Sequence, residues 1–60
     1  MIKCIGLYGS ITFDSIDKMK IYFNDYDFDK MPSVEFENLN NNKTILINSN
    51  NLYKAIRFLH

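Results

Sequence analysis

The sequence has 60 residues, of which 47% are hydrophobic, 15% aromatic and 23% charged, and its seven basic and seven acidic side chains leave no formal net charge. This length allows one domain spanning residues 1–60, and the apolar and aromatic content excludes a disordered segment. Neutrality argues against a general nucleic-acid binder, and the apolar runs are too short to cross a membrane.

The first thirteen residues predict two strands. Residues 2–8 are apolar apart from Lys3, which is typical of a buried strand, and β-branched and aromatic residues resume at 11–13. Gly9-Ser10 between these runs favours a type II′ hairpin turn, and one long strand kinked at Gly9 is the alternative. Cys4 is expected to be a small buried core residue.

The next segment, residues 14–25, is predicted to form the one helix. Asp14 is the candidate N-cap, because its carboxylate can accept a hydrogen bond from a first-turn N–H, and Asp17 lies near the positive end of the helix dipole. A strand over residues 18–23 is the alternative, since that run is β-branched and aromatic. We prefer the helix because four residues recur at helical spacing: Ile16, Met19, Phe23 and Tyr26.

The second half predicts an antiparallel hairpin followed by an ambiguous segment. Residues 34–37 alternate apolar and charged side chains, residues 43–47 form a second strand, and an Asn-rich turn joins them. Residues 50–60 fit either a helix capped by Ser49 or a final strand over residues 54–59, and we favour the strand.

These elements predict an α+β fold with a small antiparallel sheet of four to five strands and one helix, at about residues 14–25, packed on one face. The single cysteine excludes an internal disulfide, on which small secreted domains usually depend, so we expect a cytoplasmic protein. The apolar content exceeds what so small a core can hide, and short sheets leave open edges. A homodimer is therefore expected.

The candidate site is an acidic segment in the middle of the chain. All seven acidic residues lie between positions 14 and 37, and three of them alternate with aromatic residues: Asp25, Tyr26, Asp27, Phe28 and Asp29. Aromatic anchors among carboxylates suit a basic protein partner, so these five residues are predicted to bind one. The alternative is a solvated helix exit with both rings turned inward. Residues 25–29 begin like a calcium loop, but Lys30 and Phe36 replace the Gly and Glu it requires, so no metal is expected.

No catalytic motif is present, and we expect neither enzyme activity nor a cofactor. In size and composition the chain resembles small phage-encoded inhibitors of host or defence proteins. The leading hypothesis is a non-enzymatic interaction protein of a phage or mobile element that binds and blocks a host protein in the bacterial cytoplasm, acting as a homodimer. Two alternatives stay open: a regulatory module holding a small ligand at a dimer interface, and a nucleic-acid-binding accessory protein, which the seven acids disfavour.

Overall fold

The computed structural model describes all 60 residues, Met1–His60, as four strands and two helices. The elements in chain order are β1 (Ile2–Gly6), β2 (Gly9–Phe13), α1 (Ile16–Tyr22), β3 (Val34–Asn38), β4 (Lys43–Ile47) and α2 (Leu52–Leu59). All strand pairs are antiparallel and the order across the sheet is β2-β1-β3-β4, so β2 and β4 are the edges. The α+β class with a four-stranded antiparallel sheet is confirmed, but there are two helices instead of one.

The core lies on one face of the sheet, where both helices pack. Alternate strand residues point to this face because successive side chains of a strand point to opposite sides. The buried cluster contains, from strands and helices, Ile2, Cys4, Val34, Phe36, Ile47, Met19, Ala55 and Leu59, together with Phe23 and Phe28. The opposite face carries Lys3, Ile5, Glu35 and Glu37 and no element covers it, as is common for antiparallel sheets.

The strand favoured near the C-terminal end of the sequence is wrong, because Leu52–Leu59 form α2. A strand would place Ala55, Arg57 and Leu59 on one face and so turn a charged side chain toward the core. The helix buries Ala55 and Leu59 against the sheet and leaves Arg57 exposed. Its last turn is held by the β3–β4 turn, since Asn38 and Asn41 donate side-chain hydrogen bonds to the Leu59 carbonyl oxygen, at 2.9 and 3.2 Å.

The helix α1 is shorter than predicted. Its N-cap is Ser15 and not Asp14: the Ser15 Oγ accepts a hydrogen bond from the Lys18 N–H at 3.3 Å, while Asp14 forms an ion pair with the Lys18 Nζ at 3.1 Å. The helix ends at Tyr22 instead of residue 25. Phe23, at the C-cap, leaves the helical conformation with φ −92° and ψ 8°, and its ring is buried in the core.

The first hairpin turns two residues earlier than predicted. Gly6 and Gly9 are cross-strand partners, so Leu7 and Tyr8 form the two-residue loop. Neither loop residue has a positive φ, which excludes the predicted type II′ turn. Gly9 has φ 138°, a conformation that side-chain-bearing residues rarely adopt, and this explains the glycine at the start of β2.

The buried side chain of Asn38 provides a test of how α2 is held. Its Nδ2 donates to Leu59 and its Oδ1 accepts from the Asn40 N–H at 2.9 Å. Asn38→Ala should lower the free energy of unfolding by roughly 1–3 kcal/mol, because two hydrogen bonds are lost in a buried position. Urea denaturation measures this change. Asn40→Ala, in the same turn but exposed, should change it by less than about 0.5 kcal/mol; equal losses would contradict the assignment.

Candidate protein-interaction site

The predicted acidic site lies in the loop that leads from α1 to β3. Asp25 and Asp29 are exposed, Tyr26 and Asp27 are half-buried, and Phe28 is only 3% exposed. The Phe28 ring packs beside those of Phe23 and Phe36, with centroids 6.0 and 6.3 Å away. The Tyr26 hydroxyl donates a hydrogen bond to the Pro32 carbonyl oxygen at 2.6 Å. The two rings therefore hold the loop to the core from inside, and the exposed part of the segment consists of carboxylates.

Asn50, between β4 and α2, bridges three residues of this loop. Its Oδ1 accepts from the Phe28 N–H at 2.7 Å, and its Nδ2 donates to Asp27 Oδ1 at 2.9 Å and Asp29 Oδ2 at 3.0 Å. The bond from Asn50 is the main reason that the pKa of Asp27 lies below its usual value, and the Asp29 N–H adds to it. Three of the polar groups in the predicted site are thus already used within the chain.

A shallow groove lies beside the acidic loop, between α1 and the start of α2. It has a volume of about 470 Å³, and its lining includes Lys20, Asp25, Asp27 and Tyr53. The lining mixes both charges, so it shows no preference for a basic partner. Binding of a basic protein at Asp25 and Asp29 stays a prediction.

A second groove, which we call the apolar groove, lies at the β1–β2 turn beside the end of α1. It has a volume of about 340 Å³, and none of its thirteen lining residues is charged. Phe23 and Cys4 are buried beneath it. Five exposed side chains surround it: Leu7 (72% exposed), Tyr8 (92%), Ile11 (41%), Tyr22 (58%) and Met31 (52%). Such a contiguous exposed apolar patch marks an interaction surface more often than a scattered apolar residue does.

The apolar groove results from the short helical layer. Because α1 has only seven residues and ends at Tyr22, it does not reach over the Leu7–Tyr8 turn, and Met31 and Pro32 line the other side. Sequence reasoning missed this surface. One signal was present, since a turn made of Leu and Tyr lacks the Gly, Asn, Asp, Ser or Pro that turns usually carry. The other residues come from distant positions that only the fold brings together.

Cys4 is the only thiol of the chain and lies beneath the apolar groove. Burial raises the pKa of the Cys4 thiol to about 12, so the sulfur stays protonated at neutral pH and is not a nucleophile. No group of three or more His, Cys, Asp or Glu side chains is arranged to hold a metal ion. Neither helix has the length and apolar character that crossing a bilayer requires.

Comparison with known proteins finds no match to this chain among protein-family models, curated proteins or solved structures.

The Asn50 bridge is tested by Asn50→Ala. The free energy of unfolding should fall by roughly 1–2 kcal/mol, mainly because the part-buried Phe28 N–H loses its acceptor. The pKa of Asp27, followed by NMR titration of its carboxyl carbon, should rise toward the ordinary value of about 4. A carboxyl group whose pKa is lowered by folding stabilises the folded state at pH values above its unfolded-state pKa. This contribution is lost as the pH falls through the folded-state pKa. The variant should therefore lose less stability on acidification.

Asn48→Ala is the matched control, because Asn48 lies in the same connection, is exposed and makes no side-chain hydrogen bond. It should change neither the stability nor the Asp27 titration. An unchanged Asp27 pKa in Asn50→Ala would contradict the bridge.

Proposed function

We propose that this chain is a non-enzymatic protein that acts by binding another protein through the apolar groove and occluding part of that partner's surface. The observation that carries the proposal is the exposure of Leu7, Tyr8 and Tyr22 around a groove without charged residues. Full burial of a leucine side chain is worth about 1.5–3 kcal/mol relative to exposure, and an aromatic side chain contributes on the same scale. Burial of these side chains in a complex thus supplies a driving force that the free protein leaves unused.

The shape of the surface suits a protein partner. Tyr8 lies at the tip of the hairpin and is almost fully exposed, which suits insertion into a pocket of the partner. Tyrosine is enriched among residues that dominate binding energy, because it combines a large rigid area with a hydroxyl. The groove behind it is open and receives an apolar side chain in return. The absence of cations in its lining gives no support to binding of phosphates or nucleic acid.

Within this class we propose an inhibitor from a phage or mobile element that blocks a host protein. The composition supports this hypothesis, because it is rich in Asn and Ile, which is typical of AT-rich coding sequences. An inhibitor of this kind needs affinity and a surface large enough to exclude a competing ligand, and it needs no catalytic group.

The groove is tested with two double variants that remove similar apolar area at different places. The immobilised chain is used to capture a partner from a lysate of the host cell, and the dissociation constant of the identified partner is then measured by surface plasmon resonance. Leu7→Ser with Tyr8→Ser should weaken binding at least about tenfold, since loss of each interface anchor costs more than about 1 kcal/mol and about 1.4 kcal/mol corresponds to tenfold.

The matched control is Leu46→Ser with Tyr53→Ser, because these side chains are 57% and 67% exposed and lie outside the apolar groove. Its affinity should equal that of the natural chain, and equal affinity of both double variants would contradict the proposal. A third variant, Asp25→Asn with Asp29→Asn, tests the acidic segment: steering of a basic partner would appear as slower association with unchanged dissociation.

A further inference from the structure

The edge strand β2 presents a free row of backbone hydrogen-bonding groups. Gly6 and Gly9 close a two-residue loop as a hydrogen-bonded pair, and such pairs alternate along an antiparallel ladder. Ile11 and Phe13 therefore bond to β1, while the N–H and C=O groups of Ser10 and Thr12 point away from the sheet. Four of the five residues of β2 are exposed, so no other element covers this edge.

We propose that β2 pairs antiparallel with β2 of a second copy of this chain, with the two-fold axis at Ile11. In this register Ser10 of each copy lies opposite Thr12 of the other. Both residues direct their N–H and C=O groups outward, so each Ser10–Thr12 pair exchanges two backbone hydrogen bonds. The result is one continuous eight-stranded sheet. The inference goes beyond the proposed function and does not depend on it.

In this register the side chains of the two β2 strands form favourable cross-strand pairs. On the helix-bearing face, Ile11 meets its own copy, a β-branched pair that favours sheet pairing. Phe13 of one copy lies opposite Gly9 of the other, where a Cβ would meet no atom within 4 Å and the space is open to a ring. Aromatic side chains across from edge glycines stabilise such pairs. On the other face, the Ser10 and Thr12 hydroxyls are neighbours, which is also a favourable pair.

Charge distinguishes β2 from the other edge strand. In an isologous contact, the same surface meets itself, so a charged residue near the axis lies close to its own copy. The sequence of β2, Gly-Ser-Ile-Thr-Phe, contains no charge, whereas β4 begins with Lys43. Lysine on an edge strand is a common device against pairing. The β2 edge lacks that protection, and its neutrality suits a second copy.

Exposed apolar side chains near β2 offer part of the area that a dimer requires. The lower range of stable interfaces is about 600 Å² per partner, a small part of the 4185 Å² surface of this chain. Tyr8 and Tyr22 alone offer roughly 200–400 Å², at about 150–250 Å² per aromatic side chain. The antiparallel arrangement places the Leu7–Tyr8 turn of one copy beyond Phe13 of the other, where Tyr22 packs 5.2 Å from Phe13. Leu7 and Ile11, which are 72% and 41% exposed, and the strand backbone add to this area.

Dimerisation also joins the two apolar grooves. Ile11 lines the groove of its own copy and lies on the helix-bearing face. Because directly opposed residues of an antiparallel pair point to the same face, both grooves lie on one face of the eight-stranded sheet, on either side of the axis. The side chains that surround the two grooves thus lie at the dimer interface, and the dimer competes for them with a complex between one copy and another protein.

The register is tested by a charge-swap experiment at Ile11, which is 41% exposed and so accepts a polar substitution. Sedimentation equilibrium of the natural chain at micromolar to submillimolar concentration should give twice the 7.1 kDa mass of one copy. Ile11→Lys and Ile11→Glu should each give the single mass, because residue 11 then faces an identical charge. An equimolar mixture of the two variants should regain the double mass as a heterodimer.

Circular dichroism is used to check that each variant is folded. The control variant Leu46→Lys, on the opposite edge strand, should keep the double mass. A natural chain that stays monomeric throughout this range would overturn the proposal. Dimers that persist in Ile11→Lys would overturn it too, and a mixture of variants that fails to associate would overturn the register. None of these measurements requires a partner protein, so failure here is distinct from failure of the proposed function.

Discussion

The structure depends on the position of Phe23 at the C-cap of α1. Its ring lies within 6.3 Å, centroid to centroid, of five other rings: Phe13, Tyr22, Tyr26, Phe28 and Phe36. These rings belong to β2, α1, the following loop and β3, so one side chain joins these four parts of the chain. Aromatic pairs in such edge-to-face and stacked arrangements add about 0.5–1.5 kcal/mol each beyond the area they bury. The end of α1 is set where this ring must enter the core, and the short helix in turn leaves the apolar groove uncovered.

Asparagine side chains fix connections between elements that the small hydrophobic core does not hold in place. A domain of about 60 residues buries a limited share of its surface, and it needs further contacts to fix its connections. Asn38 and Asn41 bond to the last turn of α2, and Asn50 bonds the acidic loop to the start of that helix. The acidic segment predicted as a binding site therefore has a structural role in the fold, in which Phe28 is buried and Asp27 is bonded by Asn50.

The predictable features of the fold are those set by local periodicity. The β3–β4 hairpin follows from alternation over a few residues and an Asn-rich turn, and both strands lie within one residue of the predicted bounds. The sequence of α2 fits both the helical and the strand periodicity. The choice depends on the sheet face beneath this segment, because a strand would turn the charged Arg57 toward the core and a helix leaves it exposed. The apolar groove was not predictable, because Leu7, Tyr22 and Met31 become neighbours only after β1–β2, α1 and the loop have packed together.

The proposed pairing of β2 with β2 of a second copy has a direct signature in the backbone amides of Ser10 and Thr12. Amide hydrogen exchange measured by NMR over a concentration series tests this pairing most directly. Ile11 and Phe13 bond to β1 and act as internal references, because their protection reports the fold alone. We expect the Ser10 and Thr12 amides to be protected in concentrated samples and to exchange rapidly on dilution, while the Ile11 and Phe13 amides stay protected. Rapid exchange of the Ser10 and Thr12 amides at every concentration, with Ile11 and Phe13 protected throughout, would contradict the pairing of β2 with a second copy.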